Sequence, residues 1–186
     1  MTALSLLLVA LLGAFGWTLT EYLLHRFAGH KPRGRSPLTR EHMAHHADPD
    51  YFTPWWRKLA LAVPVVGLGS ALTMPLFGLH GVAFVLGFVA GWLGYEVLHR
   101  RIHTHAPLGR FGDWARRHHL AHHFTDPAMN HGVTLPLWDQ LFGTLRPAPQ
   151  VRIPARRVPR WLARTDGGIE ERYAGVYVVA GRGGPR

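Results

Sequence analysis

Cysteine is absent from this chain of 186 residues, and no charged side chain occurs between residues 59 and 95. The absence of cysteine excludes disulfide bonds, thiolate zinc sites, and iron–sulfur clusters or haem bound through cysteine. A metal site in this chain would therefore need other ligands. The 14 histidines make imidazole the obvious candidate.

The uncharged stretch of residues 59–95 is too long to cross a membrane only once. As a helix it would measure roughly 55 Å, nearly twice the ~30 Å hydrocarbon core of a bilayer. Proline and glycine residues within 75–81 mark the place where a helical hairpin would turn. We therefore predict two spans, near residues 58–76 and 81–99.

The N-terminal segment, residues 1–24, is a third predicted span. It contains the apolar sequence ALSLLLVALLGAFGW and has no charged side chain up to Thr20. A signal peptide is the alternative, but the segment lacks a basic start and continues without interruption into His25. The predicted fold class is thus an all-α integral membrane protein with three transmembrane helices, one single span plus a hairpin.

Basic residues indicate how these spans are oriented. They lie at one end of the three spans, whereas residues 75–81 contain no lysine or arginine. The positive-inside rule places the basic end in the cytoplasm. Anionic lipid headgroups account for the net charge of +10, so no nucleic-acid partner is expected. The basic residues are Arg26, Lys31, Arg33, Arg35, Arg40, Arg57, Lys58, Arg100, Arg101 and Arg110.

Thirteen of the 14 histidines fall in the predicted cytoplasmic segments or at the cytoplasmic ends of the spans, and only His80 lies at the opposite turn. Ten of them form four groups with short spacing. We predict that a cytoplasmic helical cap, formed by the histidine-rich segments 25–57 and 100–147, brings these groups together. The ten residues are His25, His30, His42, His45, His46, His99, His103, His119, His122 and His123.

Their spacing suggests metal chelation. Residues three and four apart share a helix face, so each HxxHH group is expected to point its three imidazoles in one direction. His25 and His30 are five apart, about 140° on an ideal helix, so His30 is expected to come round only if the chain leaves the helix at Gly29. Ten imidazoles exceed the needs of one ion, which indicates a two-metal centre. Because a ligand imidazole must be deprotonated, we predict metal loss below about pH 6.

Several further residues are candidates for supporting the metal ligands. Glu21 precedes His25 by four residues, and Glu96 precedes His99 by three. Each carboxylate either fixes the tautomer of its neighbouring histidine or merely marks the membrane boundary. Three other histidines are predicted to lie around the centre or on the surface rather than to bind metal. They are His105, His118 and His131.

The histidine groups and the segment after them resemble the fatty acid hydroxylase and sterol desaturase superfamily of membrane oxygenases. Each motif is weak alone, but their order around a hairpin is specific. The final segment is more similar to fatty acid and sterol hydroxylases than to carotene hydroxylases. The motifs are EYLLHRFAGH at 21–30, EHMAHH at 41–46, YEVLHRRIH at 95–103, HLAHHF at 119–124 and NHGVTLPLWDQLFGTL at 130–145.

This resemblance implies a centre of two iron ions, often replaced by zinc in isolated protein, that activates O2. It also implies a fatty acid, sterol or related lipid as substrate, and an electron-transfer protein with its reductase as the external electron donor. By position, the ten histidines named above are the implied metal ligands. One departure is His131, which stands where family members often have an aromatic residue.

Other functions remain open at this point. A desaturase or a carotenoid hydroxylase would use the same centre, although hydroxylation is favoured. A metal carrier, a metal sensor or a membrane cytochrome would need polar ligands along the spans, where this chain has almost none. For the domain organisation, we predict a hydroxylase domain over residues 1–147 and a basic, Pro/Gly-rich peripheral tail over residues 148–186.

Overall fold

The computed structural model describes residues 2–31 and 35–181. Helices dominate this part of the chain, and a single pair of short parallel strands accompanies them. The elements are α1 (Ala3–Leu23), a π-helical turn (Leu24–His30), α2 (Pro37–Ala47), α3 (Trp55–Phe77), α4 (Leu79–Thr104), α5 (Gly109–Phe124), α6 (Leu137–Leu141), β1 (Val151–Pro154) and β2 (Tyr177–Ala180), with 3-10 turns at Ala155–Arg157 and Glu171–Tyr173.

Three helices are long and apolar enough to cross a membrane, as the sequence predicted. They are α1 together with its π-helical extension (Ala3–His30), α3 and α4. The predicted all-α membrane fold is therefore confirmed, with the small sheet as an addition. Of the basic residues predicted to face the cytoplasm, Arg33 lies outside the described residues.

Glycines allow α1 and α4 to pack closely. A Cβ added at Gly13 would lie 2.1 Å from the carbonyl oxygen of Phe84, and one added at Gly87 would lie 1.8 Å from that of Ala10. Small residues of this kind let two membrane helices approach until their backbones touch. The two helices run parallel, so their histidine-bearing ends lie side by side.

The hairpin turn lies within the expected residues 75–81 but is shorter than expected. Pro75 lies inside α3, and the chain reverses at Gly78, whose φ of 54° favours glycine. Proline is tolerated within membrane helices because neighbouring groups satisfy the freed carbonyl. Because the turn is short, α3 continues to Phe77 and α4 begins at Leu79. At their other ends, the two helices extend beyond the predicted spans to Trp55 and Thr104.

The C-terminal segment packs on the cap instead of extending into solvent. Strands β1 and β2 pair in parallel, with Val151 opposite Tyr177. Val151, Ile153 and Leu162 are fully buried in a cluster with Leu120 of α5. Apolar residues recur among the arginines and prolines here, and their burial attaches residues 151–180 to α5. The boundary at residue 147 stays a prediction, and residues 182–186 lie outside the described part.

Candidate metal centre

The first histidine pair is aligned by the π-helical turn that continues α1. The wider π-helical turn places residues five apart on nearly the same face. The rings of His25 and His30 are stacked with their centroids 5.5 Å apart. The expectation that the chain leaves the helix at Gly29 was therefore wrong, because a change of helix type brings His30 round without an exit.

The ten predicted ligands gather into two groups of five. In each group the five ligand nitrogens lie within 4.8 Å of one another. We call these groups site A and site B. Site A consists of His25, His30, His42, His46 and His122, and site B consists of His45, His99, His103, His119 and His123.

Each HxxHH motif is divided between the two sites. In α2, His42 and His46 belong to site A, while His45 points to site B. In α5 the assignment is reversed, since the pair four residues apart belongs to site B and His122 to site A. The expectation that each motif points one way was wrong, because positions three and four residues along a helix diverge enough to face adjacent sites. The sites are neighbours, with the His46 and His123 rings stacked 4.1 Å apart.

In site A the imidazole Nε2 atoms converge. The Nε2 of His122 lies 2.9 Å from that of His25, 3.0 Å from that of His30 and 3.1 Å from that of His46. The Nδ1 of His25 donates to the carbonyl oxygen of His131 at 2.5 Å, and the Nδ1 of His122 donates to that of Met129 at 2.7 Å. These bonds place the proton on Nδ1 in both rings.

That protonation state makes site A suited to a cation. The facing Nε2 atoms of His25 and His122 both carry lone pairs, and lone pairs 2.9 Å apart repel unless a positive ion lies between them. Two nitrogens about 2.1 Å from one ion and at right angles to each other are about 3 Å apart. The observed separations match that arrangement, so the residues of site A fit a metal ion.

Site B shows the same convergence with different surroundings. The Nε2 of His119 lies 3.0 Å from the Nε2 atoms of His99, His103 and His123. Among the described residues, the buried Nδ1 atoms of His103, His119 and His123 have no hydrogen-bond partner. The Nδ1 of His45 donates to the carbonyl oxygen of Tyr51 at 2.8 Å.

Burial keeps the cap histidines neutral, which is the form that binds metal. It lowers the pKa of His45 to about 4 and that of His46 to about 3, in each case mainly through loss of solvent around the charged ring. The pKa values of His42 and His122 are held well below the ordinary value by burial and then by neighbouring imidazoles. These four side chains are therefore available in the neutral form that binds a metal ion.

The two predicted carboxylates do not contact the histidines that follow them in the described structure. Glu21 accepts hydrogen bonds from the backbone and hydroxyl of Thr134 and from the backbone of Val133. Glu96 forms an ion pair with Lys58 on α3. Of the two alternatives, direct orientation of His25 by Glu21 and of His99 by Glu96 is therefore not observed, because both carboxylates accept from donors on other elements.

The three remaining candidates have different positions. His131 lies beside site A, with its ring centroid 5.3 Å from that of His122. His118 is buried and pairs with Asp139 at 3.1 Å. His105 is exposed at the end of α4, where it contacts Thr104.

Asp139 is a structural residue that the sequence analysis missed. Its fully buried carboxylate accepts from the backbone nitrogens of His131 and Gly132 and from the hydroxyl of Thr144. A lone acid in the segment LWDQLFGT was the available signal, because an acid among apolar residues is buried only when it has partners.

A cavity of about 880 Å³ connects the metal centre with the membrane helices. Its wall includes apolar residues of α3 and α4 such as Ala62, Val66 and Val89. At its other end it reaches histidines of both sites, including His42 of site A and His99 of site B. Polar residues line the part nearest the cap, among them Glu41, Tyr51, Arg57 and Lys58.

Comparisons with known proteins find similar sequences and a similar structure. A model of the fatty acid hydroxylase family matches residues 10–144. The dihydroceramide fatty acyl 2-hydroxylase of Arabidopsis thaliana is 30% identical over 155 residues, which is 81% of this chain and 64% of the relative. Human fatty acid 2-hydroxylase is 32% identical over 149 residues, covering 74% of this chain and 39% of the relative.

A solved structure is also similar. It is described as full-length scs7p with only its hydroxylase domain visible, and it matches with a TM-score of 0.66 and 28% identity. The match covers 79% of this chain and 58% of that one. This chain thus spans less than two thirds of the length of these proteins.

Proposed function

Because the chain belongs to the fatty acid hydroxylase family, we propose that it is a membrane oxygenase that inserts one oxygen atom of O2 into a C–H bond of a lipid. In this proposal the five histidines of site A together hold one iron ion, and the five histidines of site B hold a second. Residues 1–147 would carry the hydroxylase unit, and residues 148–186 would lie at its periphery.

The cavity carries this proposal. It offers an apolar chain a path from between the membrane helices to histidines of both sites. A carrier or sensor of metal ions has no need for an apolar cavity of about 880 Å³ that ends at its ligands. An oxygenase does need one, because its substrate must place a C–H bond at the metals while water is excluded.

The residues that line the cavity suggest which part of the substrate reacts. Val66 and Val89 surround the apolar end, whereas Glu41 and Arg57 form an ion pair near the cap. A lipid bound with its chain among the valines would have its polar group near that pair. Its reacting carbon would then lie close to the polar group, consistent with relatives that are named as 2-hydroxylases of fatty acyl chains. We therefore propose an acyl lipid of the ceramide type as substrate.

When bound, two iron ions would supply the oxidation of the C–H bond by O2 with two external electrons. The imidazoles would hold the ions through Nε2, and the backbone carbonyl oxygens that accept from Nδ1 of His25, His45 and His122 would keep those rings in the required tautomer. We propose that the centre faces the cytoplasm, because the basic residues lie at that end of the helices. A soluble or membrane-bound electron-transfer protein on that side would deliver the electrons.

Mass spectrometry of lipids tests the proposal. We expect cells that produce the protein to accumulate an acyl lipid heavier by one oxygen, with the oxygen derived from 18O2. A substrate lighter by two hydrogens instead would identify a desaturase. Absence of any changed lipid, in cells whose protein carries its metals and is supplied with an electron donor, would contradict the enzyme assignment.

Two neighbouring substitutions on α3 test the cavity. Ala62 lines it, whereas Val63 is 64% exposed on the lipid-facing side. We expect Ala62→Phe to reduce product formation about tenfold by blocking the chain, with both metals retained, since overfilling a packed space is unfavourable. The matched variant Val63→Phe should retain full activity. Equal activity of the two variants would show that the substrate takes another path.

A further inference from the structure

Two buried carboxylates bind four consecutive backbone amides beside site A. Asp139 accepts from the nitrogens of His131 and Gly132, at 2.8 Å each. Glu21 accepts from the nitrogens of the next two residues, Val133 and Thr134, and from the Thr134 hydroxyl. Both carboxylates are almost completely buried, with Glu21 3% exposed and Asp139 0% exposed. The backbone of residues 131–134 is therefore fixed from two sides.

The first residue of this fixed segment, His131, contacts His25, one of the site A histidines. The carbonyl oxygen of His131 accepts the Nδ1 proton of His25 at 2.5 Å. Gly132 packs closely against the next turn of the chain, since a Cβ there would lie 2.3 Å from the carbonyl oxygen of Leu135. A displacement of residues 131–134 would thus move the acceptor that determines which nitrogen of His25 carries the proton.

We infer that Glu21 is a positioning residue for site A, acting on His25 through the backbone of residues 131–134. The inference rests on the proposal that the histidines bind metal, but not on the reaction or its substrate. Glu21 does not touch the His25 ring directly in the hydrogen-bond pattern described above. Its effect passes through the Val133 and Thr134 amides to the neighbouring His131 carbonyl.

Glu96 provides a natural comparison. It stands three residues before His99 of site B, as Glu21 stands four before His25 of site A. Its carboxylate pairs with Lys58 and accepts from Trp92 at 3.3 Å, without binding the backbone of a ligand-supporting loop. Removal of Glu96 should therefore leave the zinc affinity of both sites unchanged.

The test measures zinc affinity of each site alone, in the full-length protein, by competition with a coloured chelator. A double variant with His99→Ala and His103→Ala retains only site A intact. A double variant with His30→Ala and His42→Ala retains only site B intact. In the background that retains site A, we expect Glu21→Ala to weaken zinc binding about 10- to 100-fold. In the background that retains site B, the same substitution should leave the affinity within about twofold.

Conservative variants separate positioning from a general loss of structure. Glu21→Gln keeps an oxygen that accepts the two amides, so it should restore most of the site A affinity. Thr134→Val removes only the hydroxyl bond and should cost site A about fivefold, the equivalent of one hydrogen bond, while Thr134→Ser should cost nothing. This pair remains informative if Glu21→Ala does not fold.

The outcomes decide the inference. Loss of affinity confined to site A would support it. Equal losses in both backgrounds, or unchanged site A affinity in the Glu21→Ala and Thr134→Val proteins, would overturn it. Failure of the unsubstituted protein to bind zinc would instead overturn the metal centre itself, on which the proposed function depends.

Discussion

Site A and site B contain the same number of imidazoles but are supported by different parts of the chain. In site A, the rings of His25 and His122 donate through Nδ1 to backbone carbonyls of His131 and Met129. These acceptors belong to one loop between α5 and α6. In site B, Nδ1 of His103 has no partner among the described residues.

Helix packing provides most of the support of site B, where the Nδ1 of His45 also donates to the carbonyl oxygen of Tyr51. Four of its five ligands lie on α4 and α5, and Arg116 of α5 joins these helices. Its buried guanidinium donates to the carbonyl oxygens of Arg101, His105 and Ala106 at the end of α4. Aromatic rings add to the wall, since Tyr95 stacks on His99 with the centroids 5.5 Å apart.

This contrast shows two ways to orient an imidazole ligand. A hydrogen bond to Nδ1 fixes the tautomer as well as the ring position, whereas packing fixes the position alone. We therefore expect site A to hold its metal more tightly and site B to exchange its metal more readily.

The largest effect is expected at two histidines, each of which belongs to a different site from the other ligands on its own helix. His122 is the only ligand that α5 supplies to site A, and His45 is the only one that α2 supplies to site B. We expect His122→Ala to remove the site A metal and His45→Ala to remove the site B metal. Each variant should contain about one metal per chain by elemental analysis and lose activity at least 100-fold, because both ions are needed.

The double variant is the control for this assignment. With both His122 and His45 replaced, metal content should fall to about zero. Loss of both metals in either single variant would indicate that the sites form one indivisible cluster and would break the comparison.

A smaller effect is expected at Arg116. Lysine keeps the positive charge but cannot reach several carbonyl groups with a planar fork. We expect Arg116→Lys to weaken zinc binding in site B about tenfold and in site A much less, as measured by chelator competition. An equal effect on the two sites would contradict the separate support of site B.

The smallest effect on metal content is expected from acidification just below neutral pH. An ordinary imidazole titrates near pH 6.5, but burial lowers the pKa of His45 to about 4 and that of His46 to about 3. Between pH 6.5 and about 4 the unfolded chain binds protons that the folded site excludes, so the metal-free fold loses stability as the pH falls.

Proton competition for the metal begins only near the lowered pKa values. The structure therefore moves the expected metal loss from about pH 6 to nearer pH 4. Metal content after equilibration at a series of pH values measures this. Complete release at pH 6 would contradict the effect of burial.

Much of this arrangement was predictable from the sequence, because periodicity reports which residues share a helix face. The uncharged stretch predicted the hairpin of α3 and α4, and the HxxHH and HxxxH groups predicted that imidazoles converge. The division of each HxxHH motif was not predictable from one helix. It depends on how α2 and α5 pack, which sets the side chains that face each site.

Local backbone changes were also beyond the sequence pattern. A spacing of five between His25 and His30 gave no sign of a π-helical turn, because such turns depend on the surrounding packing. The role of Glu21 was hidden for a similar reason. Its partners Val133 and Thr134 are over a hundred residues away in the chain, and only the fold brings them to α1.

The most direct test of the account is the position of the bound metals in a crystal of the zinc- or iron-loaded protein, located by anomalous scattering. We predict two peaks, one among the Nε2 atoms of site A and one among those of site B. A single peak shared by both groups, or peaks away from these ten histidines, would contradict the central claim.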